Sequence, residues 1–267
     1  MCRLILVNKK DFNKYDSKYG ILPLMKHLES ECGGHGNGYA LIKDNIIINM
    51  DKGVKLRNED IYSKIVKEDW DYLIWHTRIK SSGANKDDTS CHPFVKSEDC
   101  IAMNGTEYDF ETMALALGII DTQVIFKCIE GLSLSRTMET LSHLSSVFIG
   151  TVDGVPYAVN AGGSLYKWND SSLHASSFPL EVKKTERTNA GYMWRDGKVI
   201  ASKVKKDTYK PYSYSYSSTT KPYALWDMEQ EEQEEYDGYE LGHELGYEEG
   251  YEEGYNAAIE EYVLMKK

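Results

Sequence analysis

Apolar and polar positions along the chain fall into blocks whose period changes several times. It opens on an uninterrupted apolar run, Leu4-Ile5-Leu6-Val7, too short for a helix and suited to a buried strand. Within Asp16 to Ser30 the stretch Leu22-Pro23-Leu24-Met25-Lys26-His27-Leu28 is moderately amphipathic and predicts a short helix opened near Pro23. Tyr39-Ala40-Leu41-Ile42 and Ile46-Ile47-Ile48-Asn49-Met50 flank a polar Lys43-Asp44-Asn45 and predict a hairpin. Residues 58–68 suit a helix, Tyr72-Leu73-Ile74-Trp75 a buried strand, and Cys100-Ile101-Ala102-Met103 another that breaks at Asn104-Gly105. Residues 109–118 predict a helix stopping at Gly118, and Asp121 is placed to N-cap a helix over 122–130. Leu134, Met138, Leu141 and Leu144 recur at helical spacing. Strands then return: 147–152 and 156–159 around Asp153-Gly154, 165–168, and 192–194 and 199–201 around Asp196-Gly197. Strands, then helices, then strands predict an α+β chain with two antiparallel sheets and helices packed outside them.

Composition adds an asymmetry. The chain has 267 residues, 41% of them hydrophobic, enough for one large domain with an appendage. Its net charge of −11 is concentrated at one end: from Asp227 onward there are fifteen acidic residues against Lys266 and Lys267 alone, so the body before them is close to neutral. No basic stripe points to nucleic acid, and no apolar run approaches the roughly 18 residues of a membrane span. Five cysteines without paired spacing fit a reducing compartment, and the chain reads as cytoplasmic. The expected division is a domain over 2–206, a Tyr/Ser/Pro-rich linker over 207–226 and an acidic tail over 227–267. In the tail glycine recurs at 238, 242, 246, 250 and 254, with tyrosine at 239, 247, 251 and 255. That period reads either as a helix with a small-residue stripe, which makes 236–262 a candidate for self-association or docking, or as a disordered acidic segment.

The chemistry begins at Cys2. Removal of Met1 would leave one residue carrying a thiol nucleophile and an α-amine titrating near pH ~8, so no histidine is needed as base. A small buried residue at the start of a strand is the plainer reading of Cys2 alone. Asn104-Gly105 suits a tight turn, and it also offers a side-chain amide beside a backbone N–H, as an oxyanion hole requires. The run Gly33-Gly34-His35-Gly36-Asn37-Gly38 reads as a flexible turn or a ligand cradle; a following strand argues against a phosphate cradle. Cys91 and His92, drawn together with Cys32 and His35, have no standard zinc spacing, so no metal is expected, and His76 and His92 read as satisfied structural histidines.

Taken together, Met1-Cys2-Arg3-Leu4, Gly36-Asn37-Gly38-Tyr39-Ala40, His76-Thr77-Arg78, His92-Pro93-Phe94, Met103-Asn104-Gly105-Thr106 and Asp121-Thr122-Gln123-Val124 resemble the class II glutamine amidotransferase domain, over about the first 200 residues. The resemblance implies the N-terminal-nucleophile (Ntn) hydrolase fold, a four-layer αββα sandwich. It implies Cys2 as nucleophile, Asn104 and Gly105 as oxyanion hole, Arg78 on the substrate α-carboxylate, Asp121 on its α-ammonium and Thr106 in the pocket wall. The chain departs from the family at Met103, where histidine is frequent, at Ser90, where asparagine is frequent, and at Ile79, where an aromatic is frequent. The implied reaction is glutamine amide hydrolysis without a cofactor. Ammonia would pass to a separate synthase chain, since no synthase domain fits in the remaining residues. A free-standing γ-glutamyl amide hydrolase and a catalytically silent binding scaffold assembled through the tail are the alternatives.

Overall fold

The computed structural model describes residues 2–80 and 87–201, and the linker and tail expectations lie outside them. The chain begins with strand β1 (Arg3–Asn8), followed by α1 (Lys9–Tyr19) and α2 (Ile21–Cys32), then the hairpin β2 (Asn37–Lys43) and β3 (Ile46–Gly53). Helix α3 (Asn58–Ile65), β4 (Tyr72–Thr77), β5 (Phe94–Lys96) and β6 (Asp99–Asn104) follow. Three helices come next, α4 (Glu111–Ala116), α5 (Asp121–Ile129) and α6 (Leu134–Ser142). The remaining strands are β7 (Val147–Val152), β8 (Val155–Asn160), β9 (Tyr166–Trp168), β10 (His174–Ala175), β11 (Thr185–Arg187), β12 (Tyr192–Arg195) and β13 (Lys198–Ala201).

The strands form a seven-stranded sheet in the order β11-β9-β10-β1-β4-β2-β3 and a six-stranded sheet in the order β13-β12-β8-β7-β6-β5. The pairings within both are antiparallel. Alternation along β1 shows why its apolar run is unbroken. Leu4 and Leu6 point into the core between the sheets, with Ala40, Ile74, Cys100, Ala102 and Ile149. Ile5 and Val7 point the other way, against Phe12, Tyr15, Leu24, Leu28 and Ile61 of α1, α2 and α3. A third core joins Ile101, Met103 and Phe148 of the second sheet to Ile125, Ile129, Met138 and Leu141 of α5 and α6. The layers are helix, sheet, sheet, helix. With both faces covered, each buried leucine or isoleucine of β1 contributes about 1.5–3 kcal/mol.

The structure lengthens the helix expected around Pro23 to Ile21–Cys32 and adds one where none was read, α1. Helix α1 is mostly polar and buries only Phe12 and Tyr15; it is started by Asn8, whose side chain accepts the Asp11 N–H at 2.8 Å. The edge strand β3 leaves Ile46, Ile48 and Met50 exposed. Among the described residues no single helix is long and apolar enough to cross a membrane.

Candidate active site

Cys2 stands just before β1. The β1–β4 register pairs Leu4 with His76 and Arg3 with Thr77, so Cys2 comes opposite Arg78, the first residue past β4. Both are buried. The Cys2 Sγ lies 3.7 Å from the Ile79 carbonyl oxygen. Burial pushes the thiol above its ordinary value, the Arg78 guanidinium pulls it down and the Asp121 carboxylate adds to the rise. At neutral pH the thiol is therefore protonated and needs a base to become a nucleophile.

The glycine-rich segment before β2 braces this strand end. Arg78 donates its N–H to Gly36 at 2.8 Å and accepts the His35 N–H at 2.9 Å, while the Lys80 N–H reaches His35 Nδ1 at 2.7 Å. At Gly38 the His92 carbonyl occupies the space a Cβ would take, so the glycine lets the 91–92 segment close against β2.

The other half of the site comes from the second sheet, whose β6 faces β1 across the inter-sheet core. Asn104 ends β6, paired with Val147 and buried, and its amide oxygen has no hydrogen-bond partner. Gly105 follows at φ 152°, with the Ser146 side chain where a Cβ would be, so both conformation and space demand glycine. His76 and His92 lie behind these residues with their rings tilted against each other and centroids 4.2 Å apart. His76 Nε2 is 3.0 Å from the Met103 carbonyl oxygen, and His92 Nε2 is 3.0 Å from Thr122 Oγ1. Burial lowers His76 to about 3 and holds His92 well below its usual value, so both rings are neutral.

Asp121 is the first residue of α5 and does not cap it as expected from the sequence. Its carboxylate accepts the Glu107 N–H at 2.9 Å and the Thr122 N–H at 2.8 Å, which turns it across the loop. Burial raises its pKa, and these two N–H groups oppose the rise. Glu107 is buried beside it and accepts the Ser145 N–H at 2.9 Å and hydroxyl at 3.1 Å.

These pieces enclose a cavity of about 150 Å³ lined by Cys2, Arg78, Ile79, Lys80, His92, Met103, Gly105, Thr106, Ile120, Asp121 and Thr122. Engineered apolar cavities of roughly this volume admit a molecule the size of benzene. The lining carries a thiol, a guanidinium, a carboxylate and a backbone N–H at a glycine, which suits an acyl-transfer reaction on a zwitterionic substrate.

No protein-family model matches the chain, and no curated protein matches it. Among solved structures, it is similar to the glutamine phosphoribosylpyrophosphate amidotransferase from B. subtilis, complexed with ADP and GMP, at 16% identity and a TM-score of 0.50. The fold is that of the class II glutamine amidotransferases. That match covers 73% of this chain and 47% of the B. subtilis chain, so this chain spans about half of its relative. A structure described as the allosteric regulatory enzyme of purine biosynthesis matches at 16% identity and a TM-score of 0.49, over 73% of this chain and 46% of that one. A glutamine aminotransferase class-II domain protein from Silicibacter pomeroyi matches at 15% identity and a TM-score of 0.41, over 72% of this chain and 93% of that one.

Within this amidotransferase fold, five of the six residues singled out in the sequence line the cavity, and the sixth, Asn104, is adjacent to Gly105 on the strand. Sequence reasoning gave no role in the site to Lys80, Thr122 or Glu107, and it read His92 as structural only. Thr122 lay inside a quoted motif, whereas nothing local to Glu107 announced its contact with Ser145. Met103, at the position where the family often has histidine, accepts from the Thr122 hydroxyl through its sulfur at 3.7 Å and fills the cavity wall. Among the described residues no three His, Cys, Asp or Glu side chains gather in a group able to hold a metal ion.

Proposed function

We propose that this chain hydrolyses the side-chain amide of glutamine to glutamate and ammonia through a thioester on Cys2. The reading rests on one observation: Cys2, Arg78, Gly105, Thr106 and Asp121, from well-separated segments and both sheets, line a single cavity.

With Met1 removed, the Cys2 α-amine takes the thiol proton as Sγ attacks the amide carbon. Asn104 and the Gly105 N–H receive the developing oxyanion, each donor being worth about 10²–10³ in turnover. The α-amine then delivers the proton to the departing ammonia, and water cleaves the thioester to glutamate. A thiol whose pKa is pushed up by burial makes a local base necessary. Neither histidine suits that task, His76 being lowered to about 3 and His92 being engaged by Thr122. Arg78 meets the α-carboxylate with a planar fork and Asp121 meets the α-ammonium, so the pocket selects an unmodified amino-acid head. γ-Glutamyl amides share that head and belong to the same substrate class. In this reading the ammonia is passed to a separate synthase chain. Residues 236–262 are the proposed segment for self-association or for docking that chain.

The test is glutamate release from glutamine by the purified full chain beside Cys2→Ala, with the intact mass recorded. Turnover that disappears in Cys2→Ala supports the reading. A protein that has lost Met1 and stays silent with glutamine and γ-glutamyl amides, alone and with host lysate, overturns it in favour of a binding scaffold.

A further inference from the structure

We propose that a second cavity, of about 420 Å³, binds a small organic anion with an apolar body and thereby modulates the Cys2 site. It opens where both sheets end, since β3 and β5 are outer strands, and α5 forms its third wall. Its volume falls within the roughly 300–1,000 Å³ of small-molecule sites.

Met50, Phe94, Val95 and Phe126 supply apolar surface, and three lysines face two acids. Both acids are engaged: Glu130 pairs with Lys96, and Asp99 accepts the Asp153 N–H at 2.7 Å. Lys52 forms no ion pair with any described residue. Its half-buried ammonium lies 4.1 Å from the centroid of the Phe94 ring, and burial holds its pKa below the usual lysine value. A partly desolvated ammonium whose recorded partner is an aromatic face gains from an incoming negative charge. The ligand's charged group would sit on Lys52, with Lys127 as a second cation at the rim, and its body against Phe94, Phe126 and Met50. A carboxylate and a phosphate head both satisfy this chemistry.

The cavity is joined to the candidate active site through shared structure. Phe94 packs edge-on against His92 at 4.9 Å, His92 bonds Thr122, and Thr122 lines the Cys2 cavity. Helix α5 presents Asp121 and Thr122 to one cavity and Gln123, Phe126, Lys127 and Glu130 to the other. An anion that draws Lys52 away from Phe94 acts on the ring that supports His92. This modulation rests on the glutaminase reading above, whereas the binding does not.

The experiment titrates the full chain with the aromatic sulfonate 1-anilinonaphthalene-8-sulfonate and with its neutral parent N-phenyl-1-naphthylamine. Amide chemical shifts locate each probe. The expected result is saturable binding of the sulfonate with the largest shifts at residues 50–52, 94–96 and 123–130 and smaller ones along His92 and Thr122. Binding should weaken at least tenfold for the neutral probe and at least tenfold in Lys52→Met, with Lys52→Gln as the second variant should Lys52→Met fail to fold. Competition by benzoate or by phenyl phosphate tells a carboxylate head from a phosphate head. Unchanged affinity in the folded lysine variant, or largest shifts outside residues 50–52, 94–96 and 123–130, overturns the site. An active enzyme whose glutamine KM and kcat ignore saturating sulfonate overturns the coupling. A chain with no glutaminase activity that still binds through Lys52 keeps the site and fails only the earlier reading.

Discussion

Acid should unfold this protein in a pH range where most of its carboxylates are still ionised, because three histidines are buried in neutral form. His76, His92 and His174 are each almost wholly inaccessible. Burial lowers His76 to about 3 and His174 to about 4, and it holds His92 well below its usual value. In the unfolded chain each takes a proton near pH ~6.5. Between that value and about 4 the unfolded state therefore binds protons that the native state refuses, so stability rises with pH and is lost as pH falls. Each histidine contributes about 1.4 kcal/mol per pH unit inside the window, so three give a slope of about 4 kcal/mol per unit near pH ~5. From pH ~7.5 to ~4.5 the loss is about 8 kcal/mol, comparable to the whole stability of a typical domain. Asp121, raised by burial, works in the opposite sense as a single group. Urea unfolding followed by tryptophan fluorescence at half-unit pH steps measures the slope, and His174→Gln should lower it by about 1.4 kcal/mol per unit. His174 is a suitable probe because it bonds the Ser172 carbonyl and the Tyr192 hydroxyl, away from the Cys2 cavity. A slope below ~1.4 kcal/mol per unit around pH ~5 would mean that fewer than one neutral histidine is buried, and the reasoning would be refuted.

Two further outcomes concern the site directly. Gly105→Ala should lower glutamate release by at least ~10² and depress the melting temperature, because its φ is 152° and the new Cβ meets Ser146; an unchanged kcat removes Gly105 from the oxyanion hole. Asp121→Asn should raise the KM for glutamine by ~10–100-fold with a smaller effect on kcat, as expected for a group that holds the substrate head; a fall in kcat alone assigns Asp121 to the chemical step instead.

The central strands of the two sheets were legible because burial on both faces leaves them as plain apolar runs, as with Leu4-Ile5-Leu6-Val7. Helix α1 was not, since a helix that touches the core through Phe12 and Tyr15 shows little periodicity in its polar remainder. The strands His174–Ala175 and Thr185–Arg187 were missed because two or three residues carry no alternation to read. In the candidate site, chemistry-bearing residues stood out by type and motif. Their supports did not, because support is a matter of tertiary contact. Asp121 looked like a cap, a local role, and only the N–H of Glu107, fourteen residues away, shows it bent across a loop. His92 looked like a satisfied core histidine, and its bond to Thr122 is indeed a structural one, yet its ring also lines the cavity.

The division of the site between the sheets explains why packing and chemistry are tied here. Cys2 and Arg78 belong to the ends of β1 and β4, whereas Asn104 and Gly105 follow from β6 and Asp121 from a helix laid over the second sheet. The thiol and the proposed oxyanion donors therefore hold their separation only as well as the inter-sheet core holds its thickness. That core is built with small side chains where the two halves meet, Ala40 on one sheet and Cys100, Ala102 and Ala158 on the other, among leucines and isoleucines. Close-packed interiors transmit a change of even one methylene. Ala102 lies on β6 only two residues from Asn104, and Leu4 on β1 only two from Cys2, so strain in this core is carried along both strands to both halves of the site. Residues far from any substrate thus set the distance on which the proposed attack depends.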